Sequence, residues 1–229
     1  QAWVDGFYYK PRIDHSLLKQ YSHGLIALSA CLAGELPRLV KAGRLEEASE
    51  LIVNYKNLFG EDYYIELQRH KTLLTNPNAQ STYALQKQIE PHLIALAAKH
   101  GVQLVATNDV HFVNYEDAPA HDRLICVSTN DDVTDQNRKL RYTEQEYLKS
   151  VREMSELFAD VPRVLETTVE IANKIETYTL DRSAILPHFP IPEDFPHSNA
   201  YLKHLTYEGA RRLYGEITPE LQERMDFEL

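Results

Sequence analysis

Three short apolar segments, separated by stretches with helical spacing, constrain this chain more than any other feature. They are Leu25-Ile26-Ala27-Leu28-Ser29-Ala30, Tyr63-Tyr64-Ile65-Glu66-Leu67 and Val102-Gln103-Leu104-Val105-Ala106-Thr107. Runs this short, bounded by turn residues, suit strands buried on both faces, as in a parallel sheet. Between the first two, residues 36–58 place Leu45, Ala48, Ile52 and Tyr55 three and four apart, and Gly60 stops the pattern. Between the second and third, residues 83–100 repeat the spacing at Leu85, Ile89, Leu93, Leu96 and Ala97, and Gly101 ends it. Pro91 inside that pattern predicts a kink or two abutting helices. Strand, helix, strand, helix, strand is the alternation of an α/β protein with a parallel sheet or barrel.

The flanking segments read less regularly. Asp14 is placed to cap a short helix over 15–20. Residues 72–81 are polar and broken at Asn76-Pro77-Asn78, which predicts a loop. Beyond residue 115 the pattern is helical: 116–128, a polar loop over 130–141, then 143–158 and 162–176. The last two carry start signals, Thr143 with Glu146 as a capping box and Pro162 in a first turn. Residues 186–196 hold four of the eleven prolines, so a linker is expected over 186–197. Helical spacing resumes over 198–214 and 218–229.

Each of the three strands runs into a residue able to bind a metal or move a proton, and in such sheets functional groups gather at the carboxyl ends of strands. Asp109-Val110-His111 puts a carboxylate and an imidazole two residues apart and therefore on one side, a pairing that suits Zn, Mn or Fe. The plainer alternative is an Asp capping the next turn beside a surface His. Cys31 follows the first strand as a soft ligand or as a small buried hydrophobe. His70 closes the second strand as a third ligand, a phosphate-oxygen donor or a solvated loop residue, with Glu66 placed to orient it. His121 reads as helix packing or capping, and Cys126 as core.

Composition removes several function classes. With 24 Lys and Arg against 34 Asp and Glu, the net charge of −10 disfavours a broad basic surface for nucleic-acid phosphates. Two cysteines cannot make a disulfide framework and suit a reducing cytoplasm. No uncharged apolar run reaches membrane-spanning length, so no membrane partner is expected. The opening Gln-Ala-Trp-Val-Asp-Gly, without a Met, reads as a fragment or a processed chain.

Longer stretches carry a resemblance. Gly6-Phe7-Tyr8-Tyr9-Lys10-Pro11-Arg12, Leu28-Ser29-Ala30-Cys31-Leu32-Ala33-Gly34-Glu35, Glu66-Leu67-Gln68-Arg69-His70 and Ala106-Thr107-Asn108-Asp109-Val110-His111-Phe112 resemble the alpha subunits of bacterial replicative DNA polymerases of the C family. Ala120-His121-Asp122, Tyr147-Leu148-Lys149-Ser150 and Leu186-Pro187-His188-Phe189-Pro190 continue the likeness in order. It implies a PHP (polymerase and histidinol phosphatase) domain, a distorted β/α barrel with a metal cluster in its mouth. On that likeness the chain divides into the C-terminal half of the PHP domain over 1–185, the linker, and the start of the polymerase palm over 198–229.

Cys31, Asp109 and His111 match ligand positions of the family, and His70 lies in the matching loop. The family's His-x-His motif and palm aspartates fall outside this sequence. The resemblance therefore implies a parent that extends primers from dNTPs with Mg at palm carboxylates, and a PHP part that binds a divalent metal such as Zn or Mn. That part would act as a 3′–5′ exonuclease or dock a proofreading exonuclease and other replisome subunits. The fragment alone is expected to be inactive, to bind metal weakly or not at all, and to self-associate through its open barrel edge. A stand-alone PHP phosphoesterase acting on a small phosphate ester is the competing reading, and a non-enzymatic docking module is a third.

Overall fold

The computed structural model describes residues 1–72, 77–135, 138, 140–179, 181 and 187–229, with side chains only from residue 81 onward in the helix that begins at Pro77. The chain forms two compact units, Gln1–Glu176 and Thr177–Leu229.

The first unit is built on a parallel sheet of three strands in sequence order, β1 (Ala27–Leu28), β2 (Tyr63–Leu67) and β3 (Gln103–Ala106). Ala27 lies opposite Tyr63, Ile65 opposite Leu104, and Leu67 opposite Ala106. The crossovers are helical, α2 (Glu35–Lys41) and α3 (Leu45–Phe59) between β1 and β2, then α4 (Pro77–His100) between β2 and β3. Alternation along β2 sends Tyr63, Ile65 and Leu67 to one face. There they join Leu36 and Val40 of α2, Ile52 of α3, and Ile89, Leu93 and Leu96 of α4 in one core. Tyr64 on the opposite face is also buried, which is why the sequence of β2 shows no apolar-polar alternation. The α/β class and the parallel sheet expected from the sequence are both present.

Five local readings change. The first strand is two residues long and is not buried on both faces, since Leu25 and Leu28 are exposed. The Ser29 N–H still donates to the Tyr64 carbonyl at 3.0 Å, but Ala30 then turns into the left-handed region at φ 64 and the ladder stops. Residues 36–58 form two helices, because Gly43 at φ 72 makes a turn between α2 and α3. The loop expected over 72–81 gives way to helix from Pro77, a residue well suited to a first turn, while 73–76 lie outside the described residues. Pro91 sits inside one helix rather than between two.

The fifth change matters most for the site. Residues 143–150 are not helical, and α6 covers only Val151–Leu157. The working capping box is Ser150 with Glu153. The Thr143–Glu146 pair bonds as a box would, yet Glu144 at φ 66 turns the chain away from a helix. Two helices flank this stretch as expected, α5 (Ala118–Thr129) before it and α7 (Arg163–Lys174), which packs against β3, after it.

In the second unit, residues 187–197 carry neither helix nor strand, and Leu186 lies outside the described residues. Helices α8 (Ser198–Tyr214) and α9 (Pro219–Glu228) follow, tied by Asp226, which accepts from Lys203 Nζ at 2.9 Å and the Tyr207 hydroxyl at 2.8 Å. Among the described residues no helix is long and apolar enough to cross a membrane.

Candidate site at the strand ends

The loop leaving β1 carries Cys31, which is half-buried. Its shape depends on two contacts. The Ser29 hydroxyl accepts the Glu66 N–H at 2.9 Å, binding the ends of β1 and β2 together. Gly34 donates its N–H to the Cys31 carbonyl at 2.7 Å and starts α2. A Cβ on Gly34 would sit 2.3 Å from the Ser29 carbonyl oxygen, so the residue is fixed by close approach rather than by its φ. Gly34→Ala is expected to cost about 1–3 kcal/mol through this overlap. Urea unfolding checks it, and a midpoint within error of the parent's would refute the contact.

After β2 come Gln68, Arg69 and His70. Glu66 does not orient His70; its carboxylate accepts from the Thr107 hydroxyl at 2.7 Å, and Thr107 in turn accepts from the Gln68 amide at 3.0 Å. His70 is 3% exposed and its tautomer follows from its partners. Gln86 Oε1 accepts the His70 backbone N–H at 2.8 Å, so the same amide must donate its Nε2 hydrogen to His70 Nδ1, 3.1 Å away. The ring proton is therefore on Nε2, where it meets the Asn108 carbonyl at 3.1 Å. Both nitrogens are committed to protein partners.

Burial holds the His70 pKa below its ordinary value, although the Glu146 carboxylate, 3.6 Å from Nδ1, pulls the other way. A base with a depressed folded-state pKa lets the unfolded chain take up its proton first as pH falls. Stability should thus be full above about pH 6.5 and decline below it, by about 1.4 kcal/mol per pH unit for each histidine kept neutral, until the folded pKa is reached. His100 and His121 are lowered too, again chiefly by burial, so His70→Asn should remove only part of the slope. Stability measured from pH 7.5 to 5 checks this, and an unchanged slope in the variant would contradict it.

Beyond β3, Asn108 is 7% exposed and donates its side-chain amide to the carbonyls of Gln145 and Tyr147, each at 2.8 Å. Asn108 Oδ1 has no partner among the described residues, a desolvation cost of about 1–3 kcal/mol that the two donated bonds offset. Asp109 follows at φ 46 in the left-handed region, which an Asp tolerates better than most residues. His111 is exposed; its Nδ1–H donates to the Asp109 carbonyl at 2.6 Å, so Nε2 is the acceptor and takes the Tyr142 hydroxyl at 3.1 Å. The rings of His111, His121 and Tyr142 form a triangle with centroids 4.5 to 5.6 Å apart.

The stretch 142–149 lies across these strand ends as a strap. The Glu146 carbonyl accepts the His111 N–H at 2.7 Å, and Phe112 pairs with Tyr147 in a short parallel bridge. The Glu146 carboxylate is buried and accepts from the backbone N–H and hydroxyl of Thr143. Lys149 donates to the Gln145 carbonyl at 2.5 Å, with its Nζ 3.8 Å from the centre of the Tyr147 ring. Burial lowers its pKa to about 8 against the pull of Glu153 and Glu146.

Burial raises the Tyr142 pKa, and the nearby charges of Asp109, Glu146 and Cys31 raise it further. The fit to a metal is partial. A histidine donating Nδ1–H to a carbonyl presents Nε2 as a ligand would, but here Nε2 is taken by Tyr142 and both nitrogens of His70 are engaged. Among the described residues no group of three or more His, Cys, Asp and Glu side chains is arranged to hold a metal ion. These residues do not make a metal cage by themselves. The sequence reading missed Gln86, Asn108, Tyr142 and Glu146. Only Asn108 and Glu146 lie inside motifs of the sequence, Asn108 with no role assigned and Glu146 as a capping residue.

Residues 1–70 match the PHP domain family. The chain is similar along its whole length to DNA polymerase III alpha subunits. It is 41% identical over 229 residues to that of Borreliella burgdorferi, covering 100% of this chain and 19% of that protein. It is 39% identical over 230 residues to that of Treponema pallidum, again covering 100% of this chain and 19% of the relative. With the Helicobacter pylori subunit the figures are 34% over 213 residues, 89% of this chain and 17% of the relative. The chain thus spans about a fifth of the length of the relatives it matches.

Proposed function

We propose that this chain is the part of a replicative DNA polymerase alpha subunit that carries the C-terminal half of a PHP domain, over 1–185, and leads through 186–197 into the polymerase palm from 198. The observation that carries this reading is a collinear match at 41% and 39% identity that runs from the sheet through α8 and α9. A stand-alone PHP phosphoesterase would have no reason to share those last helices with a polymerase subunit. The whole subunit would extend primers from dNTPs with Mg in the cytoplasm, bound to DNA, to a proofreading exonuclease and to other replisome subunits. None of the residues described above is assigned a part in nucleotidyl transfer in this reading.

Within the PHP part, the arrangement supports a scaffold that offers an incomplete donor set. Cys31, Asp109 and His111 would contribute one thiolate, one carboxylate and one imidazole to a site for Zn or Mn completed by residues outside this chain. His70 would not be among them. The test is the metal content of the intact subunit beside that of this chain alone. The chain alone is expected to hold well under one equivalent, and Asp109→Asn with His111→Ala should lower the content of the intact subunit. Unchanged metal content in that double variant would overturn the ligand assignment, while primer extension measured alongside tests the polymerase reading separately.

The docking role rests on exposed surface. Trp3, Phe7, Tyr8 and Tyr9 are exposed, as are Leu25 and Leu28 beside the outer edge of β1. Exposed aromatics, and exposed leucines at a strand edge, favour association with a partner subunit or with a second copy. Sedimentation of this chain should show concentration-dependent dimers that Leu28→Lys weakens; a monomer throughout would remove the reading.

A further inference from the structure

We propose that Asn108 is a positioning residue, which pins the 142–149 strap and through it fixes the backbone and imidazole of His111. The side chain is buried, and its two donated bonds reach residues 37 and 39 positions away, so nothing local requires an asparagine there. The amide orientation is unambiguous, since only the NH2 end can serve two carbonyls.

The strap returns the constraint to the strand end by two routes. The Glu146 carbonyl, between the two pinned residues, takes the His111 N–H at 2.7 Å, and Leu148 N–H donates to the Phe112 carbonyl at 3.2 Å. Tyr142, at the start of the strap, donates its hydroxyl to His111 Nε2 at 3.1 Å. The Glu146 carboxylate is satisfied by Thr143, within the strap. The bonds that tie the strap to the strand end are thus made by the Asn108 amide, the backbone and the Tyr142 hydroxyl. This inference depends on the geometry of residues 108–149 and not on the functional reading above.

The sharpest probe is Asn108→Asp, which keeps the volume but replaces the donor with an acceptor. The two short bonds then become contacts between oxygens. In the intact subunit carrying this chain, amide hydrogen exchange and the rate at which diethyl pyrocarbonate modifies His111 would be measured for the parent, Asn108→Asp, Asn108→Ser, Tyr142→Phe and Glu146→Gln. Asn108→Asp should speed exchange over 111–113 and 144–149 at least tenfold, leave 63–67 unchanged, and speed His111 modification several-fold. Asn108→Ser, which keeps one donor, should fall between it and the parent. Tyr142→Phe should raise His111 modification with exchange unchanged. Glu146→Gln should match the parent, because its amide oxygen still accepts from Thr143 and its backbone carbonyl is untouched. Unchanged exchange and modification in Asn108→Asp would overturn the proposal. So would exchange rising equally over 63–67, or failure of both Asn108 variants to fold, either of which would make Asn108 a general folding residue. Glu146→Gln behaving like Asn108→Asp would move the role to the carboxylate and overturn it as well.

Discussion

Arg69→Met is expected to destabilise the first unit by about 3 kcal/mol or more, a large fraction of what a domain has to lose. The guanidinium lies at the exit of β2, between Gln68 and His70. It is 12% exposed and meets Glu90 of α4, itself 17% exposed, through two parallel bonds at 2.8 and 2.5 Å. A second pair of bonds, at 2.5 and 2.9 Å, goes to Asp160, and a fifth contact, at 2.7 Å, to the Leu157 carbonyl. The Phe158 ring lies 4.7 Å beneath. These carboxylates push the Arg69 pKa further up, so the charge is permanent.

Removing Arg69 strands the Glu90 carboxylate in a site with little water, and that uncompensated charge sets the cost. Three companions separate this cause from mere loss of packing. Asp160→Asn should cost under about 1 kcal/mol, because Asp160 is 65% exposed. Arg69→Lys should recover little, because one ammonium cannot fork to two carboxylates. Arg69→Met with Glu90→Leu should recover much of the loss, since no charge is then stranded. Urea unfolding of the set checks the order, and equal costs for Arg69→Met and Asp160→Asn would contradict it.

What could be read from the sequence follows the range of the forces involved. Asp14 accepts the Leu17 N–H at 2.7 Å, a bond within one turn of the cap. β2 was legible to the residue because a central strand is apolar on both faces whatever surrounds it. The first strand was over-read for the opposite reason. Leu25 and Leu28 look like core letters, but β1 is the edge of the sheet, and the turn at Ala30 is set by close approach at Gly34. The Arg69 cluster joins residues 21 to 91 positions apart and leaves no periodic trace.

The site was half legible for the same reason. Topology alone brings the ends of parallel strands together, so the expectation of one mouth for Cys31, Asp109 and His111 could be formed from the sequence. Their protonation and partners could not, because these depend on a strap read as helix. The Thr143–Glu146 pairing was real, and its bonds form as a capping box would form them. It fails to start a helix because tertiary bonds from Asn108 and His111 claim the carbonyls of residues 145–147. His70 illustrates the limit most plainly. Its place at a strand end suggested a ligand, while Gln86, sixteen residues on, makes it a neutral buried anchor.

Ile65→Ala is expected to have the other large effect, a loss of about 3–4 kcal/mol. Ile65 is 0% exposed, in the middle of the central strand, and faces the core made by α2, α3 and α4. Truncation removes three carbons where β2 is held by strands on both sides and cannot move in to fill the space. The cavity term therefore adds to the transfer term. Leu28→Ala on β1 deletes as many carbons from an exposed edge position and should cost under about 1 kcal/mol. The contrast reaches the site, because the same strand leads into Glu66, Arg69 and His70. Ile65→Ala should raise exchange across 63–70 together with that across β3, as one cooperative unit, while α8 and α9 in the second unit keep their protection. Comparable costs for Ile65→Ala and Leu28→Ala would mean that the sheet has no true centre, and the strand ends that lead into Cys31, Asp109 and His111 would then lack a rigid base.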